Sequence, residues 1–252
     1  MKGNSQVTDE TPAVPEPVFR DDVTVELVRS SAQDADVLFA ARVSTAGEQS
    51  IDELDKDPAR SKGLINYLMR DRHGTPFEHN SMTFLVSAPI FVFREFQRHR
   101  VGFSYNEESG RYRELQPVFY VPAPERKLIQ KGRPGKYEFF EGTPDQHDGV
   151  VKAMEESYRQ SYEAYKTMLS EGIAREVARA VLPVGLFSSM YATCNARSLM
   201  HFLSLRTKDD RAKVPSFPQR EIEMVAEKME QEWAALMPLT HAAFNEHGRV
   251  AP

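Results

Sequence analysis

A dense run of polar side chains occupies residues 98–112, "RHRVGFSYNEESGRY". Within fifteen positions it holds three arginines, one histidine, two serines, one asparagine and two glutamates. Guanidinium groups stay protonated at physiological pH and bind phosphate through a planar pair of N–H donors, while hydroxyl, amide and carboxylate groups can bind sugars and base edges. The run therefore predicts a site for an anionic, hydrogen-bonding ligand, with a phosphorylated nucleotide as the natural candidate. The alternative is a solvated, charge-rich loop.

A second concentration of cations, between residues 175 and 206, is interleaved with apolar residues. In "REVARAVLP" Arg179 lies among valines and a leucine, and in "NARSLMHFLSLR" Arg197, His201 and Arg206 lie among leucines, a methionine and a phenylalanine. A charge in such surroundings must be paired or bind a ligand, because burying it alone is costly. If residues 195–206 are helical, Arg197 and His201 project from one face and could reach one ligand. Salt bridges to structural carboxylates are the alternative.

The segment "HGTPFEH", from His73 to His79, brings two histidines and Glu78 close together. Their spacing matches no zinc motif, and Pro76 would break a helix that could align them, so no metal site is predicted. A histidine in such a turn is more often a hydrogen-bonding or ligand-contacting group.

The only cysteine is Cys194, which excludes an intramolecular disulfide and a multi-cysteine zinc site. An activated thiolate could attack a ligand as a nucleophile. However, Cys194 is predicted at the start of a buried helix, where a free cysteine is commonly a small core residue. We therefore assign it no catalytic role.

Apolar periodicity predicts the elements that position these groups. Strands are predicted over "VTVELV" (23–28) and "SMTFLVSA" (81–88). Helices are predicted from near Ser31, over 57–72, from Pro89 to about Arg100, from near Gly149, from Ala174 to Pro183, over 195–206 and over 219–237. Residues 122–148 predict a long surface connection. A minority of strands among several long helices predicts an α+β fold with a small mixed or antiparallel sheet.

Length and charge set further limits. We predict a flexible N-terminal tail over residues 1–20, where prolines accumulate without apolar periodicity, followed by a single domain over 21–245. No run approaches the roughly 18 apolar residues of a membrane span, and no secretory signal begins the sequence, so a cytoplasmic protein without membrane contact is expected. The net charge of −5 argues against nucleic acid as the main partner.

At these segments the sequence closely resembles the flavin-dependent thymidylate synthase family. The family's hallmark is an Arg-His-Arg triplet followed, after seven or eight residues, by Ser. Here eight residues lie between "RHR" at 98–100 and Ser109, and "HGTPFEH", "APIFVFREFQRHR", "NEESGRY", "REVARAVLP" and "NARSLMHFLSLR" also match. The resemblance covers residues 23–206. Two positions depart from the pattern, since Glu95 stands where some members have Gln and His201 where some have Asn.

The resemblance implies a homotetramer of α+β subunits that holds FAD where subunits meet, with dUMP stacked near its isoalloxazine ring. It also implies that NADPH reduces the FAD, that methylenetetrahydrofolate donates a one-carbon unit, and that a flavin hydride completes the methyl group. No enzyme cysteine nucleophile is then required.

The resemblance carries roles to individual positions. It implies flavin contacts by Thr75, Arg98, His99, Arg100, Glu107, Asn195, Ala196, Arg197 and His201, with Ser44 and His73 as additional candidates. It implies dUMP contacts by Glu95, Phe96, Gln97, Arg98, Glu107, Glu108, Ser109, Gly110, Arg111, Arg179 and Arg206. Arg206 is also the implied catalytic residue, because a fixed cation beside the uracil edge would favour ionisation at N3. Ser109 is assigned to substrate binding, since no Ser, His and Asp arrangement is evident to activate it.

Two other functions remain open from the sequence. One is a non-catalytic nucleotide- or RNA-binding module, in which the arginines only hold phosphates. The other is a different flavin oxidoreductase built on the same fold. A flavin absorbance spectrum would separate the first from an enzyme, and a requirement for dUMP would separate the second from a synthase.

Overall fold

The computed structural model describes residues 15–47, 57–134 and 136–252. These residues fall into two units. The first, called here the long-helix unit, comprises the described residues up to Arg20 and those of Ser109–Leu186. The second, called here the sheet unit, comprises the described residues of Asp21–Glu108 together with Phe187–Pro252. The single domain proposed over 21–245 stays a prediction. Residues 1–14 of the predicted tail lie outside the described residues, whereas Val18–Arg20 form a strand.

The strands and helices alternate irregularly along the chain. The strands are β1 (Val18–Arg20), β2 (Thr24–Ser30), β3 (Met82–Pro89), β4 (Phe103–Glu107), β5 (Val118–Tyr120), β6 (Ile129–Arg133), β7 (Lys136–Phe140) and β8 (Phe187–Cys194). The helices are α1 (Asp34–Ala46), α2 (Pro58–Arg70), α3 (Ile90–Phe96), α4 (Pro144–Ser170), α5 (Arg175–Ala178), α6 (Ala196–Arg206), α7 (Arg220–Leu236) and α8 (Pro238–Glu246). Short 3-10 helices occupy Thr75–Glu78 and Arg179–Val181.

A four-stranded antiparallel sheet organises the sheet unit, in the order β2-β3-β8-β4. In β3 the alternate residues Met82, Phe84 and Val86 are fully buried, which is the period-two pattern of a strand with one face on a core. The core also takes apolar side chains from all six helices of this unit, among them Leu38, Ile65, Phe93, Phe202, Trp233 and Phe244. The predicted α+β class with a small sheet is confirmed.

The C-terminal part of the sheet unit is tied to its beginning. Asp34, the first residue of α1, accepts hydrogen bonds from the backbone N–H of Leu239 and Thr240 and from the Thr240 hydroxyl, at 2.6–2.9 Å. A carboxylate at a helix N-terminus satisfies N–H groups that have no partner within the helix. The first turn of α8 is therefore fixed to the start of α1, and its later residues Ala243 and Phe244 are part of the core.

The long-helix unit pairs β1 with β5 in parallel and carries the hairpin β6–β7. Helix α4 packs through Tyr158, Tyr162 and Tyr165, and Phe119 of β5 stacks on Tyr158 with ring centroids 4.7 Å apart. Thr143 and Gln146 form a reciprocal capping box at the start of α4.

Several predicted boundaries were wrong. The predicted surface connection over 122–148 contains the hairpin β6–β7 and the first turn of α4, which begins at Pro144 rather than near Gly149. The predicted helix from Pro89 to about Arg100 ends at Phe96. The predicted helix from Ala174 is one short α-helix followed by a 3-10 turn. In the part of the chain that the structure describes, no helix combines the length and apolarity needed to cross a membrane.

Candidate functional site

The "RHR" triplet lies in a turn between α3 and β4, not on a helix as the sequence predicted. The Tyr105 hydroxyl of β4 lies 3.0 Å from the Phe96 carbonyl and 2.8 Å from the His99 carbonyl, and it donates to this pair. The turn ends at Gly102, whose φ of 68° lies in the left-handed region. A Cβ at this position would lie 1.9 Å from the Ser198 hydroxyl, so only glycine lets the turn approach α6 this closely.

A half-buried cluster forms where this turn meets the end of α6. Arg206 Nη1 donates to Glu95 Oε2 at 2.5 Å, and Arg206 Nε donates to His99 Nε2 at 3.0 Å. A longer contact of 3.4 Å joins Arg206 Nη2 to the Glu95 carbonyl. The Arg206 side chain is only 13% exposed, so its charge is compensated mainly by Glu95. We call these three residues the Arg206 cluster.

Burial shapes the protonation of the Arg206 cluster. His99 accepts a hydrogen bond at Nε2, which requires the neutral imidazole with its proton on Nδ1. Burial, reinforced by the charges of Arg206 and His201, lowers the pKa of His99 from 6.5 to about 4. Burial raises the pKa of Glu95, and Glu221 adds to this effect, while Arg206 opposes it. Glu95 Oε1 is buried and has no hydrogen-bond partner among the described residues.

A second cluster lies at the other end of α6. Asn195 caps the helix, since its Oδ1 accepts from Ser198 N at 2.9 Å. Arg197 Nη1 donates to Glu78 Oε1 at 2.5 Å, and Arg197 Nε donates to the Pro252 carbonyl at 2.7 Å. Gly74 leaves room for this guanidinium, because a Cβ there would lie 2.5 Å from Arg197 Cζ.

Arg197 and His201 lie one turn apart on α6, as the sequence predicted. Burial lowers the pKa of His201, with smaller contributions from the positive charges of Arg197 and Arg72. All three side chains therefore share one electrostatic environment. We call Arg72, Arg197 and His201 the Arg197 cluster.

The two clusters are connected along one helix. Arg197 and Arg206 are nine residues apart, which is about 14 Å along an α-helix axis. The 97–102 turn spans this distance, since His99 contacts Arg206 and Gly102 approaches Ser198. Arg98 and Arg100, both exposed, lie in this turn.

Other candidates from the sequence have varied surroundings. Thr75 is exposed at the start of a 3-10 helix. His73 stacks on Tyr67 with ring centroids 5.5 Å apart. The Ser44 hydroxyl donates to the Ala41 carbonyl. Gln97 and Glu107 are exposed, and Glu108 N donates to the Ser189 carbonyl. The side chains of Phe96 and Ala196 are fully buried in the core. These two residues can offer a ligand only backbone atoms, and Ala196 N already donates to Asn80.

Four candidates lie in the long-helix unit. Ser109 begins a turn in which its hydroxyl accepts from Arg111 N, and Arg111 Nε donates to Glu176 Oε2 at 3.1 Å. Gly110 is buried, and a Cβ there would lie 3.2 Å from Arg179 Cδ. The turn and Arg179 are therefore neighbours.

The expected burial of Arg179 was wrong. Its side chain is exposed, and the neighbouring Val177 and Val181 also face solvent, with exposures of 58% and 39%. Apolar neighbours in the sequence therefore do not surround Arg179 with an apolar environment in the structure.

Cys194 is the last residue of β8 rather than the start of a helix. Its side chain is 3% exposed, and burial raises the pKa of the thiol well above its usual range. The thiolate is therefore disfavoured. Within the described ranges, no group of His, Cys, Asp and Glu side chains is arranged to hold a metal ion.

Some residues of the site were missed from the sequence. Tyr105 lies on β4, which the alternating "FSYNE" could have indicated. Glu78 was considered only as a metal ligand, yet it pairs with Arg197. Arg72 and the residues after Gly248 carry no motif, and nothing local signals that they reach α6.

Comparison with known proteins identifies a consistent set of relatives. The model of the family described as "Thymidylate synthase complementing protein" matches residues 26–239. The flavin-dependent thymidylate synthase of Streptomyces coelicolor is 80% identical over 234 residues, which cover 93% of this chain and 95% of the relative. The protein of the same name from Tropheryma whipplei is 56% identical, over 95% and 99% of the two chains.

Solved structures agree with these relatives. The UMP/dUMP methylase PolB from Streptomyces cacaoi, bound with 5-Br UMP, superposes with a TM-score of 0.87 at 56% identity, covering 94% of this chain and all of that one. Its complex with 5-Br dUMP gives the same TM-score at 57% identity. The fold is thus shared with a protein that is described as a UMP/dUMP methylase.

The environment of His99 predicts a specific pH dependence. Because folding lowers its pKa from 6.5 to about 4, the unfolded chain takes up a proton before the folded one does. The free energy of unfolding should therefore fall as pH drops from 6.5 toward 4, and His99 should contribute no pH dependence above that window. Urea unfolding across this range, compared with His99→Gln, measures the effect. An imidazole that titrates by NMR at or above 6.5 would contradict the assignment.

Proposed function

Because the chain belongs to the flavin-dependent thymidylate synthase family, we propose that it converts dUMP to dTMP with methylenetetrahydrofolate as carbon donor and with FAD, reduced by NADPH, as hydride source. The flavin-dependent synthase activity follows from the family. The choice of FAD, NADPH and this folate rests on the motif resemblance. A non-catalytic nucleotide-binding module is not favoured, since the named relatives are enzymes.

The Arg206 cluster is the observation that carries this proposal. The contacts to Glu95 and His99 occupy three of the five N–H donors of Arg206 and leave one on each of its two Nη atoms. Beside them, Glu95 Oε1 is a buried acceptor without a partner. The edge of uracil presents an N3–H donor between two carbonyl acceptors. The two remaining donors of Arg206 and the acceptor Oε1 of Glu95 are complementary to this edge of uracil.

The same cluster activates the base electrostatically. A fixed guanidinium stabilises the negative charge that the uracil ring carries once N3 has lost its proton, and the anionic ring is a stronger nucleophile toward the carbon donor than the neutral one. Glu95, whose pKa is raised by burial, is a better proton acceptor at N3 than an exposed carboxylate. His99 supports Arg206 from the other side and, being neutral, adds no repulsion. Arg206 is the proposed catalytic residue, and Glu95 contacts the substrate.

No covalent attack by the protein is part of this mechanism. Cys194 is buried on β8 with its thiol protonated. The Ser109 hydroxyl accepts a backbone hydrogen bond from Arg111 within a turn, which suits binding rather than nucleophilic attack. Ser109, Gly110, Arg111 and Arg179 are proposed to bind dUMP, with the two arginines suited to phosphate.

The residues around α6 fit a flavin nucleotide. Among the described residues, Arg197 Nη2 has no hydrogen-bond partner, and Arg98 and Arg100 are exposed cations in the adjacent turn. These donors suit the phosphates of the cofactor, and Thr75, Asn195 and His201 add polar contacts. We propose that Thr75, Arg98, His99, Arg100, Glu107, Asn195, Ala196, Arg197 and His201 hold it, with Ala196 contributing backbone only. When bound and reduced, a flavin supplies the hydride that completes the methyl group.

Anaerobic turnover tests the function as a whole. Purified protein with FAD, NADPH, dUMP and methylenetetrahydrofolate should form dTMP, scored by chromatography, and omission of any one component should abolish it. UMP is assayed in parallel, because the Streptomyces cacaoi enzyme is described as a UMP/dUMP methylase. Consumption of NADPH without a methylated product from either nucleotide would refute the synthase assignment while retaining a flavoenzyme.

Replacement of Arg206 tests its role. Arg206→Ala should lower turnover at least about 100-fold, because it removes the charge that stabilises the developing anion, while FAD remains bound. Stopped-flow or steady-state formation of dTMP measures the loss, and the flavin absorbance of the purified variant checks cofactor binding. Cys194→Ser is the matched control and should retain most of the activity. Wild-type turnover in Arg206→Ala, or complete loss in folded Cys194→Ser, would overturn the mechanism.

We propose further that the protein is a cytoplasmic homotetramer that holds FAD at its subunit interfaces, as the resemblance implies. Sedimentation equilibrium of the FAD-loaded protein should then give four times the chain mass of 28.7 kDa. A monomer at micromolar concentration would contradict this assembly.

A further inference from the structure

The residues that follow Gly248 run beside the Arg197 cluster. Arg197 Nε donates to the Pro252 carbonyl at 2.7 Å, and Arg72 Nη1 donates to the Ala251 carbonyl at 2.7 Å and to the Val250 carbonyl at 3.3 Å. The two guanidiniums are thus held by carbonyls of consecutive residues. Because Arg72 lies after α2 and Arg197 lies on α6, this short segment connects two parts of the sheet unit that are far apart in sequence.

The segment is firmly anchored at Arg249. This side chain is 1% exposed and donates to both carboxylate oxygens of Glu230, at 2.6 and 2.7 Å, and to the Thr207 hydroxyl at 2.8 Å. The contact with Arg249 lowers the pKa of Glu230 to about 2 against the opposing effect of burial. Ala251 and Pro252 are themselves buried. The carbonyls that face Arg72 and Arg197 are therefore fixed in place.

The guanidiniums of Arg72 and Arg197 also have N–H donors that these contacts do not use. Within the described residues, Arg72 bonds only through Nη1, so its Nε and Nη2 donors have no partner. Arg197 uses Nε and Nη1, and its Nη2 donors have none. His201, which both arginines influence, is held neutral by its lowered pKa and adds no third positive charge at neutral pH. Two oriented cations with unused donors are suited to an anionic ligand.

Two arginines of this region, Arg72 and Arg249, have a left-handed backbone conformation. Among the described residues, the non-glycine residues with positive φ are Arg72 at 63° and Arg249 at 55°. Left-handed backbone is uncommon for residues with a Cβ and persists where surrounding contacts enforce it. Arg72 presents its guanidinium beside the segment after Gly248, and Arg249 anchors that segment.

We propose that residues 249–252 position Arg72 and Arg197, and that Arg72 is a further binding residue for a phosphate group of the flavin nucleotide. The segment occupies one edge of each guanidinium and thereby turns the other edge toward the ligand. Arg72 is a binding residue because it would touch the cofactor, whereas Arg249 and the carbonyls act through it. This inference rests on the proposed flavin-dependent function.

Binding of FAD to the apoprotein, followed by flavin fluorescence, tests the role of Arg72. Arg72→Ala should weaken FAD binding roughly tenfold or more, because a charge-assisted contact is lost, and should leave dUMP affinity unchanged. Arg72→Lys should recover part of the affinity, since it restores the charge without the planar fork. Arg70→Ala is the matched control, because Arg70 is exposed on the same helix end and pairs with Asp71. It should bind FAD like the wild type.

A double-mutant cycle tests the role of the segment. Removal of Ala251 and Pro252 should weaken FAD binding, and Arg72→Ala should cost much less in the shortened chain than in the full one. Thermal unfolding checks that the shortened chain folds. If it does not, Ala251→Gly, which loosens the backbone but keeps both carbonyls, replaces the deletion in the same cycle. Additive effects would show that the segment does not position Arg72.

The outcomes separate this inference from the proposed function. If the wild type neither binds FAD nor forms dTMP, the function itself is wrong. If the wild type does both and Arg72→Ala binds FAD like Arg70→Ala, only the role of Arg72 is overturned. An equal loss of FAD and dUMP affinity in Arg72→Ala, with lowered thermal stability, would likewise overturn it, because that pattern belongs to a structural residue.

Discussion

The site depends on keeping the Arg206 guanidinium charged in a largely buried position. Removing one partner of such a pair leaves an uncompensated charge, so the carboxylate of Glu95 must be in place. The neutral imidazole of His99 accepts a hydrogen bond from Arg206 Nε and keeps that donor paired. Their positions in turn require that α3 stops at Phe96 and that the chain turns sharply before β4. The Tyr105 hydroxyl and Gly102 set the geometry of that turn. The end of α3 and the turn before β4 are thus both linked to the burial of the Arg206 charge.

Helix α6 positions both clusters. Its N-terminal end presents the Arg197 cluster and its C-terminal end presents Arg206, while its inner face, including Phe202, is fully buried. The core therefore holds the helix rigidly, and the spacing between the ends is set by helix geometry. Rigid support of this kind allows charged groups to stay oriented before a ligand arrives, so that less reorganisation is needed during the reaction.

The chemistry that we propose for the site is electrostatic rather than covalent. The thiol of Cys194 is buried and protonated, whereas polarised donors and an unpaired carboxylate oxygen lie beside one another at Arg206. The departure from the family's pattern at Glu95 is consequential here, because a carboxylate can both neutralise Arg206 and accept a proton, and a glutamine can do neither. The neutral state of His99 follows from the same burial.

The sequence alone predicted an anionic, hydrogen-bonding ligand, because side-chain types and short spacings such as "RHR" and the Arg197–His201 interval are local properties. It also indicated the α+β class and most helices, whose periodicity is strong. It misplaced the end of α3, the environment of Arg179 and the secondary structure of Cys194. Each of these depends on contacts with residues distant in the chain rather than on neighbours.

Only the tertiary structure decided which residues meet. Glu95 and His99 contact Arg206 across more than a hundred positions, and Arg72 and Arg197 contact the segment after Gly248 through backbone carbonyls. Backbone acceptors are the same at every position, so no sequence pattern can mark them. Burial, which determines the protonation of His99 and Glu95, is likewise created only when the helices close over the sheet.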